Sequence, residues 1–176
     1  MDRVVDRPAL PIAVGLGVVV LDQASKAIVV DRLGPGAARQ VVELVGSTIA
    51  LRYVENTGAA FGLLRGQGPA LTAASVLILA GLALLYRRLD SRSAWTAVAI
   101  GGIAGGAVGN LLDRARLGYV VDFVSVGPWP TFNLADSAIS VGVVVFAWRM
   151  LFDHDTLPER AKPGSAPSRS RPSAER

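Results

Sequence analysis

The chain contains no cysteine. That excludes disulfides, thiolate metal sites and a cysteine nucleophile, and anchoring through a lipidated N-terminal cysteine is not expected. It has one histidine, His154, set in a polar stretch. A Ser-His-Asp triad or a histidine metal site within the apolar part of the chain is therefore excluded as well. Charge is scarce, with 18% charged residues against 51% hydrophobic ones. Mean hydropathy is +0.43, too apolar for an ordinary soluble domain. Acid–base chemistry would have to use Asp, Glu, Lys or Tyr.

What is present is long apolar runs. At 176 residues the chain is about one domain long, and four stretches approach the roughly 20 residues a bilayer-spanning helix needs. They cover about 10–30, 69–86, 94–112 and 134–152. The fold class expected is an all-α polytopic membrane protein. Residues 31–68 have a different texture. There "VVELV" and "TIALRYV" flank "GS", two β-rich runs around a pair suited to a type II′ hairpin turn. The segment 153–176 is rich in Pro, Ser, Arg and Lys and is expected to be a disordered basic tail beside a membrane domain at 1–152. The first span could be taken for a cleaved signal peptide, but Asp22 and Lys26 follow its apolar core with no convincing A-x-A site.

The net charge is +4 and the isoelectric point is about 10.1. The basic residues do not form one face, so no nucleic-acid partner is expected. Instead they sort by side. Arg3, Arg7, Arg87, Arg88, Arg92, Arg149 and the basic tail fall on one side of the four spans. The smaller set of Arg32, Arg39, Arg52, Arg65, Arg114 and Arg116 falls on the other. The positive-inside rule then makes both termini cytoplasmic and turns 31–68 and 113–133 outward. In the third span Gly101, Gly105 and Gly109 recur every four residues, as do Gly102 and Gly106. Overlapping small-xxx-small patterns of this kind let helix backbones approach closely.

Several polar residues need a reason to sit among so much apolar sequence. Asp22 and Lys26 are one turn apart and form a mutually neutralising pair. Asn56 lies in the loop "ENTGAAFG". Asn110, Asp113 and Arg114 share a face if the third span extends that far, with Asp113 and Arg114 expected to pair. Asp122 has no basic neighbour nearer than Arg116. Asn133 and Asp136 are spaced as N-cap and N3 of a capping box, so the local pattern serves Asp136 equally as a cap and as a functional carboxylate. Two carboxylates at the mouths of helices, with neither His nor Cys available, suit the chemistry of an aspartic protease. Like charges placed close together separate the two pKa values, so that a pair which meets can share a proton; sequence alone does not bring Asp122 and Asp136 together.

Four blocks, "LDQASK" (21–26), "ENTGAAFG" (55–62), "GGAVGNLLDRARLGYVVDF" (105–123) and "FNLADSAI" (132–139), together resemble the lipoprotein signal peptidases (signal peptidase II), membrane aspartyl endopeptidases of bacteria. The resemblance spans roughly residues 10–150. It implies four transmembrane helices with a small extracytoplasmic β-rich cradle, and no cofactor or metal. It implies a catalytic dyad of Asp122 and Asp136, with Asp22, Lys26, Asn56, Asn110, Arg114 and Asn133 supporting the site and positioning substrate. Asp113 is the reserve candidate for the dyad. The substrate implied is a diacylglyceryl-modified prolipoprotein, cut just before its lipidated Cys on the outer side of the bacterial inner membrane. Contact with membrane lipid, a monomeric state and inhibition by globomycin-type cyclic peptides are implied likewise. Against rival classes, no internal repeat marks a two-fold transporter, and the G-x-G-D motif of the other intramembrane aspartyl proteases is absent. A non-enzymatic envelope scaffold would need only the Gly-rich helix.

Overall fold

A computed structural model of the chain describes residues 9–58, 68–88 and 93–152. The tail from Asp153, the second half of "ENTGAAFG" and the arginines at 3, 7, 65 and 92 lie outside the described residues. The elements run α1 (Ala9–Leu33), β1 (Val41–Val45), β2 (Ile49–Asn56), α2 (Gly68–Arg88), α3 (Ala94–Leu117), β3 (Val120–Val126) and α4 (Leu134–Phe152). All four helices are long and apolar enough to cross a membrane, and the three strands form one small antiparallel sheet in the order β1-β2-β3.

The helix α3 is the centre of the bundle. Two thirds of its most apolar window is buried, against none of that of α2. It can be central because it presents backbone where other helices present side chains. A Cβ on Gly105 would lie 2.5 Å from the Gly15 carbonyl oxygen of α1, and one on Gly101 would lie 2.6 Å from that of Pro11. On the other stripe, a Cβ on Gly106 would meet the Ala135 carbonyl oxygen of α4. The two glycine stripes seen in the sequence thus seat two different helices. Lipid supplies no hydrophobic drive for helix association, so this close van der Waals approach carries the packing.

The end of α3 and the strand β3 depart most from the sequence expectation. The third span was expected to stop near Leu112, where charged residues begin, but α3 continues to Leu117. Its hydrogen-bond ladder ends only at Gly118, whose φ of 82° forms a left-handed cap with its N–H bonded to the Arg114 carbonyl. Loss of hydropathy marks where the apolar face ends, not where the helix does. The other difference is β3, which was not expected at all. Its residues are buried along nearly the whole strand, so "VVDFVSV" lacks the in–out alternation that signals a half-buried strand.

The expected hairpin is present. Gly46 has the positive φ (50°) that a primed turn requires at its first central position, and the Thr48 N–H closes the turn on the Val45 carbonyl. The tip is tied to the end of β3 by the Gly127 N–H donating to the Thr48 carbonyl. One sheet face packs on the end of α1, where Val29, Leu33 and Phe123 form an apolar cluster with Val42, Leu51, Tyr53 and Val124 against it. Beyond β3 the chain folds back, and Phe132 exchanges backbone hydrogen bonds with Val124. This return delivers the first turn of α4 beside the middle of β3.

Candidate active site

The sheet end of the bundle gathers a dense set of buried polar side chains. Asp22, Lys26, Asn110, Asp113, Asp122 and Asn133 are all buried, with Asp22 and Asn133 at 0% exposure. They come from α1, α3, β3 and the residue before α4. Helical spacing brings the first four together: Asp22 and Lys26 are one turn apart on α1, and Asn110 and Asp113 one turn apart on α3. The close approach of α1 and α3 at Gly15 and Gly105 lets the two pairs meet. Gly109 completes the fit, since a Cβ there would lie 2.7 Å from Asp22 Oδ2.

The two aspartates singled out as the dyad converge on one asparagine. Asn133 Nδ2 donates to Asp122 Oδ1 at 2.7 Å. Asn133 also forms the expected capping box with Asp136: its backbone N–H donates to Asp136 Oδ2 (3.1 Å), and the Asp136 N–H donates to Asn133 Oδ1 (2.9 Å). The two oxygens of Asp136 have different partners. Oδ2 caps the helix, while Oδ1 faces inward and accepts from Asn110 Nδ2 at 2.8 Å. The second oxygen of Asp122 accepts from Asn56 Nδ2 at 2.8 Å, and the register that pairs Asn56 with Val120 across the sheet places that amide there. Asp122 was expected at the mouth of a helix. It lies instead inside β3, held between two asparagine amides.

Burial pushes the Asp122 carboxyl up to about 6. The hydrogen bond from Asn56 opposes this, the nearby charge of Asp136 adds to it, and the Asn133 hydrogen bond and Lys26 oppose it more weakly. A carboxylic acid so placed changes protonation closer to neutral pH than a free aspartate, which suits a general acid or base. Arg114 reaches towards the same place. It is half-buried, Nη1 approaches the Asn110 carbonyl at 3.5 Å, and the charges of Asp136, Asp122 and Asp113 all act on it.

Asp113 does not pair with Arg114 as expected. It is bridged to Lys26, whose Nζ lies 2.8 Å from Asp113 Oδ2. Neighbouring helix residues point roughly 100° apart, so an i,i+1 pair does not face itself, whereas a lysine crossing from α1 does. The other Asp113 oxygen accepts from Gln23 Nε2 at 2.9 Å, so both oxygens are occupied. Lys26 also makes the expected one-turn pair with Asp22 at 2.8 Å. Gln23 was missed by the sequence reading. It sits next to Asp22, and helical spacing gives no reason to group adjacent residues, yet its long side chain reaches Asp113 and the Gly109 carbonyl on α3.

Comparison with known proteins places the chain in a family. A family model described as "Signal peptidase (SPase) II" matches residues 14–152. The chain is similar to the lipoprotein signal peptidase of Moorella thermoacetica, at 40% identity over 76% of this chain and 87% of that one. It is similar to the lipoprotein signal peptidase of Mycobacterium avium at 38% identity, over 92% of this chain and 90% of that one. A bacterial membrane enzyme solved by the in meso method at 2.3 Å resolution superposes with a TM-score of 0.73 at 28% identity, over 85% of this chain and 92% of that one. With a family model matched across all four spans and the sheet, and full-length relatives at this identity, the chain belongs to the signal peptidase II family.

Proposed function

We propose that the protein is an aspartyl endopeptidase that removes the signal peptide from diacylglyceryl-modified prolipoproteins, cutting just before the lipidated Cys. The observation that carries this is the convergence of Asp122 and Asp136, from a strand and a helix, on Asn133 at one end of a membrane bundle. In the proposed mechanism one aspartate is ionised and accepts a proton from water as the water oxygen attacks the scissile carbonyl. The other is protonated and donates to the carbonyl oxygen. Collapse of the tetrahedral intermediate breaks the C–N bond, and a proton passes from the dyad to the leaving amine. Asn56, Asn110 and Asn133 hold the carboxylates in place, and Arg114 offers a guanidinium to a substrate carbonyl.

Residues 1–152 form the membrane peptidase domain in this proposal, and the sheet end faces away from the cytoplasm, a reading supported by the distribution of arginines. The substrate's acyl chains contribute about 0.8 kcal/mol per buried methylene, which retains it in the bilayer and sets the depth of its scissile bond. A globomycin-type cyclic peptide would compete for the same place.

The test is a gel-shift assay with purified protein and a prolipoprotein, lipidated or not. The lipidated form is cut, and the unlipidated form is a very poor substrate because alignment is lost along with the anchor. Asp122→Asn and Asp136→Asn each abolish cleavage in a folded protein. Equal kcat/KM for the two substrate forms would falsify the lipid requirement. Full activity of either Asn variant would remove that residue from the dyad. Orientation is checked separately: a cysteine at Ser47 labels in intact cells, and one at Ser91 only after the membrane is breached.

A further inference from the structure

The buried cluster around Lys26 has a pattern that the proposed chemistry does not use. Asp22 Oδ1 accepts the backbone N–H of Ala135 at 3.0 Å, and Ala135 immediately precedes Asp136. Asp113 Oδ2 accepts the backbone N–H of Val121 at 3.1 Å, and Val121 immediately precedes Asp122. Each dyad aspartate therefore follows a residue whose amide is gripped by a second aspartate. Both gripping aspartates are bound to one ammonium, with Lys26 Nζ 2.8 Å from Asp22 Oδ2 and 2.8 Å from Asp113 Oδ2.

The third contact of Lys26 leads to the dyad directly. Its Nζ donates to Asn110 Oδ1 at 3.0 Å. An ammonium has donors only, so it dictates which way the Asn110 amide faces. With Oδ1 turned to Lys26 and accepting also from Asn133, Asn110 Nδ2 is left to donate to Asp136 Oδ1. The three N–H bonds of Lys26 are matched by three acceptors at 2.8–3.0 Å, and the side chain is 4% exposed. It has no donor left for a substrate.

We infer that Lys26, with Asp22 and Asp113, is a registration clamp that sets the spacing of the two dyad carboxylates by holding β3 and α4 from a single buried charge. In this role Lys26 is a positioning residue and carries no proton in the reaction. Gln23 assists by occupying Asp113 Oδ1, which leaves Oδ2 to Lys26 and the Val121 amide. The inference rests on the dyad proposed above. The ionisable groups facing one another across the cluster are Asp22 and Lys26 from α1, Asp113 and Arg114 from α3, Asp122 from β3 and Asp136 from α4.

The experiment compares wild type, Lys26→Met and Lys26→Arg as full chains purified in one detergent, with lipidated prolipoprotein as substrate. It reads kcat, KM, the pH profile of kcat and thermal unfolding. Coupling between two carboxylates falls as they separate, which brings their apparent pKa values together. A clamp therefore predicts that Lys26→Met lowers kcat by about 100-fold, the scale of a misplacement near 1 Å. KM stays within a few-fold, and the bell-shaped pH profile narrows. Lys26→Arg keeps the charge and the donors, so it restores part of kcat and part of the width. A folded Lys26→Met enzyme with wild-type kcat and an unaltered profile would overturn the clamp, and so would a kcat loss with no change in width. Failure of both variants to accumulate as folded protein would also overturn it, since Lys26 would then serve the fold alone. If wild type itself does not cleave, or Asp122→Asn is active, the dyad has failed rather than the clamp.

Discussion

Two successive stretches of α3 are held by opposite means. From Gly101 to Gly106 the helix meets α1 and α4 backbone to backbone, with Pro11, Gly15 and Ala135 against the glycines. From Gly109 to Asp113 it is held by ions and amides instead, with Lys26 and Gln23 on one side and Asn133 and Asp136 on the other. The first mode needs only small residues and contributes stability wherever it occurs. The second pairs buried charges, which is weak evidence for stability because desolvation offsets the attraction. Its yield is geometry. Packing keeps the bundle together, and the polar cluster decides where two carboxylates sit.

Substitutions in the two stretches should separate these contributions. The largest loss of stability is expected from Gly106→Leu, whose Cβ would collide with the Ala135 carbonyl and with Ile139. Backbone cannot rotate away, so the cost lies at or above the top of the roughly 1–3 kcal/mol range for overpacking. It is read as a lowered unfolding temperature in detergent. Gly109→Ala should behave differently. Its Cβ meets the Asp22 carboxylate at 2.7 Å, while alanine regains about 1 kcal/mol of helix propensity. Unfolding should shift little, and kcat should fall by on the order of 100-fold as Asp22 and the Ala135 amide are displaced. An equal stability loss at both glycines would erase the distinction between the two stretches.

A smaller and more selective effect is expected at Asn56. Its amide donates to Asp122 Oδ2 and favours the ionised carboxyl. Asn56→Leu removes that donor, so the titration of Asp122 should move from about 6 to higher pH. The limb of the pH–rate profile that reports Asp122 should shift to alkaline values, and a shift to acidic values would contradict the hydrogen-bond assignment. The linked effect on folding has a definite sign. The folded pKa lies above the ordinary aspartate value of 3.8, so the folded state binds the proton more tightly. Stability therefore falls as pH rises from about 4 to about 6, and that window should widen upward in the variant.

The smallest effect has the opposite sign. Thr96, near the start of α3 and far from the polar cluster, buries its hydroxyl with no hydrogen-bond partner among the described residues. Thr96→Val keeps the shape and removes an unsatisfied polar atom, and should stabilise by about 1 kcal/mol with kcat unchanged. A destabilised Thr96→Val would show that the hydroxyl has a use the static structure does not display.

Much of this protein was legible in its sequence because the signals are periodic or local. Four apolar runs, two glycine stripes, a Gly-Ser turn and a capping box at Asn133 and Asp136 each depend on residues a few positions apart, and the structure contains all of them. The motif blocks pointed to Asp122 and Asp136, but spacing alone could not bring together residues on a strand and a helix. Their convergence on Asn133 depends on β3, whose burial along nearly its whole length hides it from pattern, and on the return of the chain through Phe132.

Partner choice was likewise decided only by the fold. Asp113 has Arg114 beside it in sequence, yet it bonds Lys26 from another helix, because side chains on one helix turn away from their immediate neighbours while packed helices face one another. Gln23 entered the cluster for the same reason. Sequence determined which residues must be buried and which backbones could approach, since hydropathy and side-chain size are properties of single residues. Tertiary structure decided which buried charges meet, because that depends on distances across α1, α3, β3 and α4 that no spacing along the chain encodes.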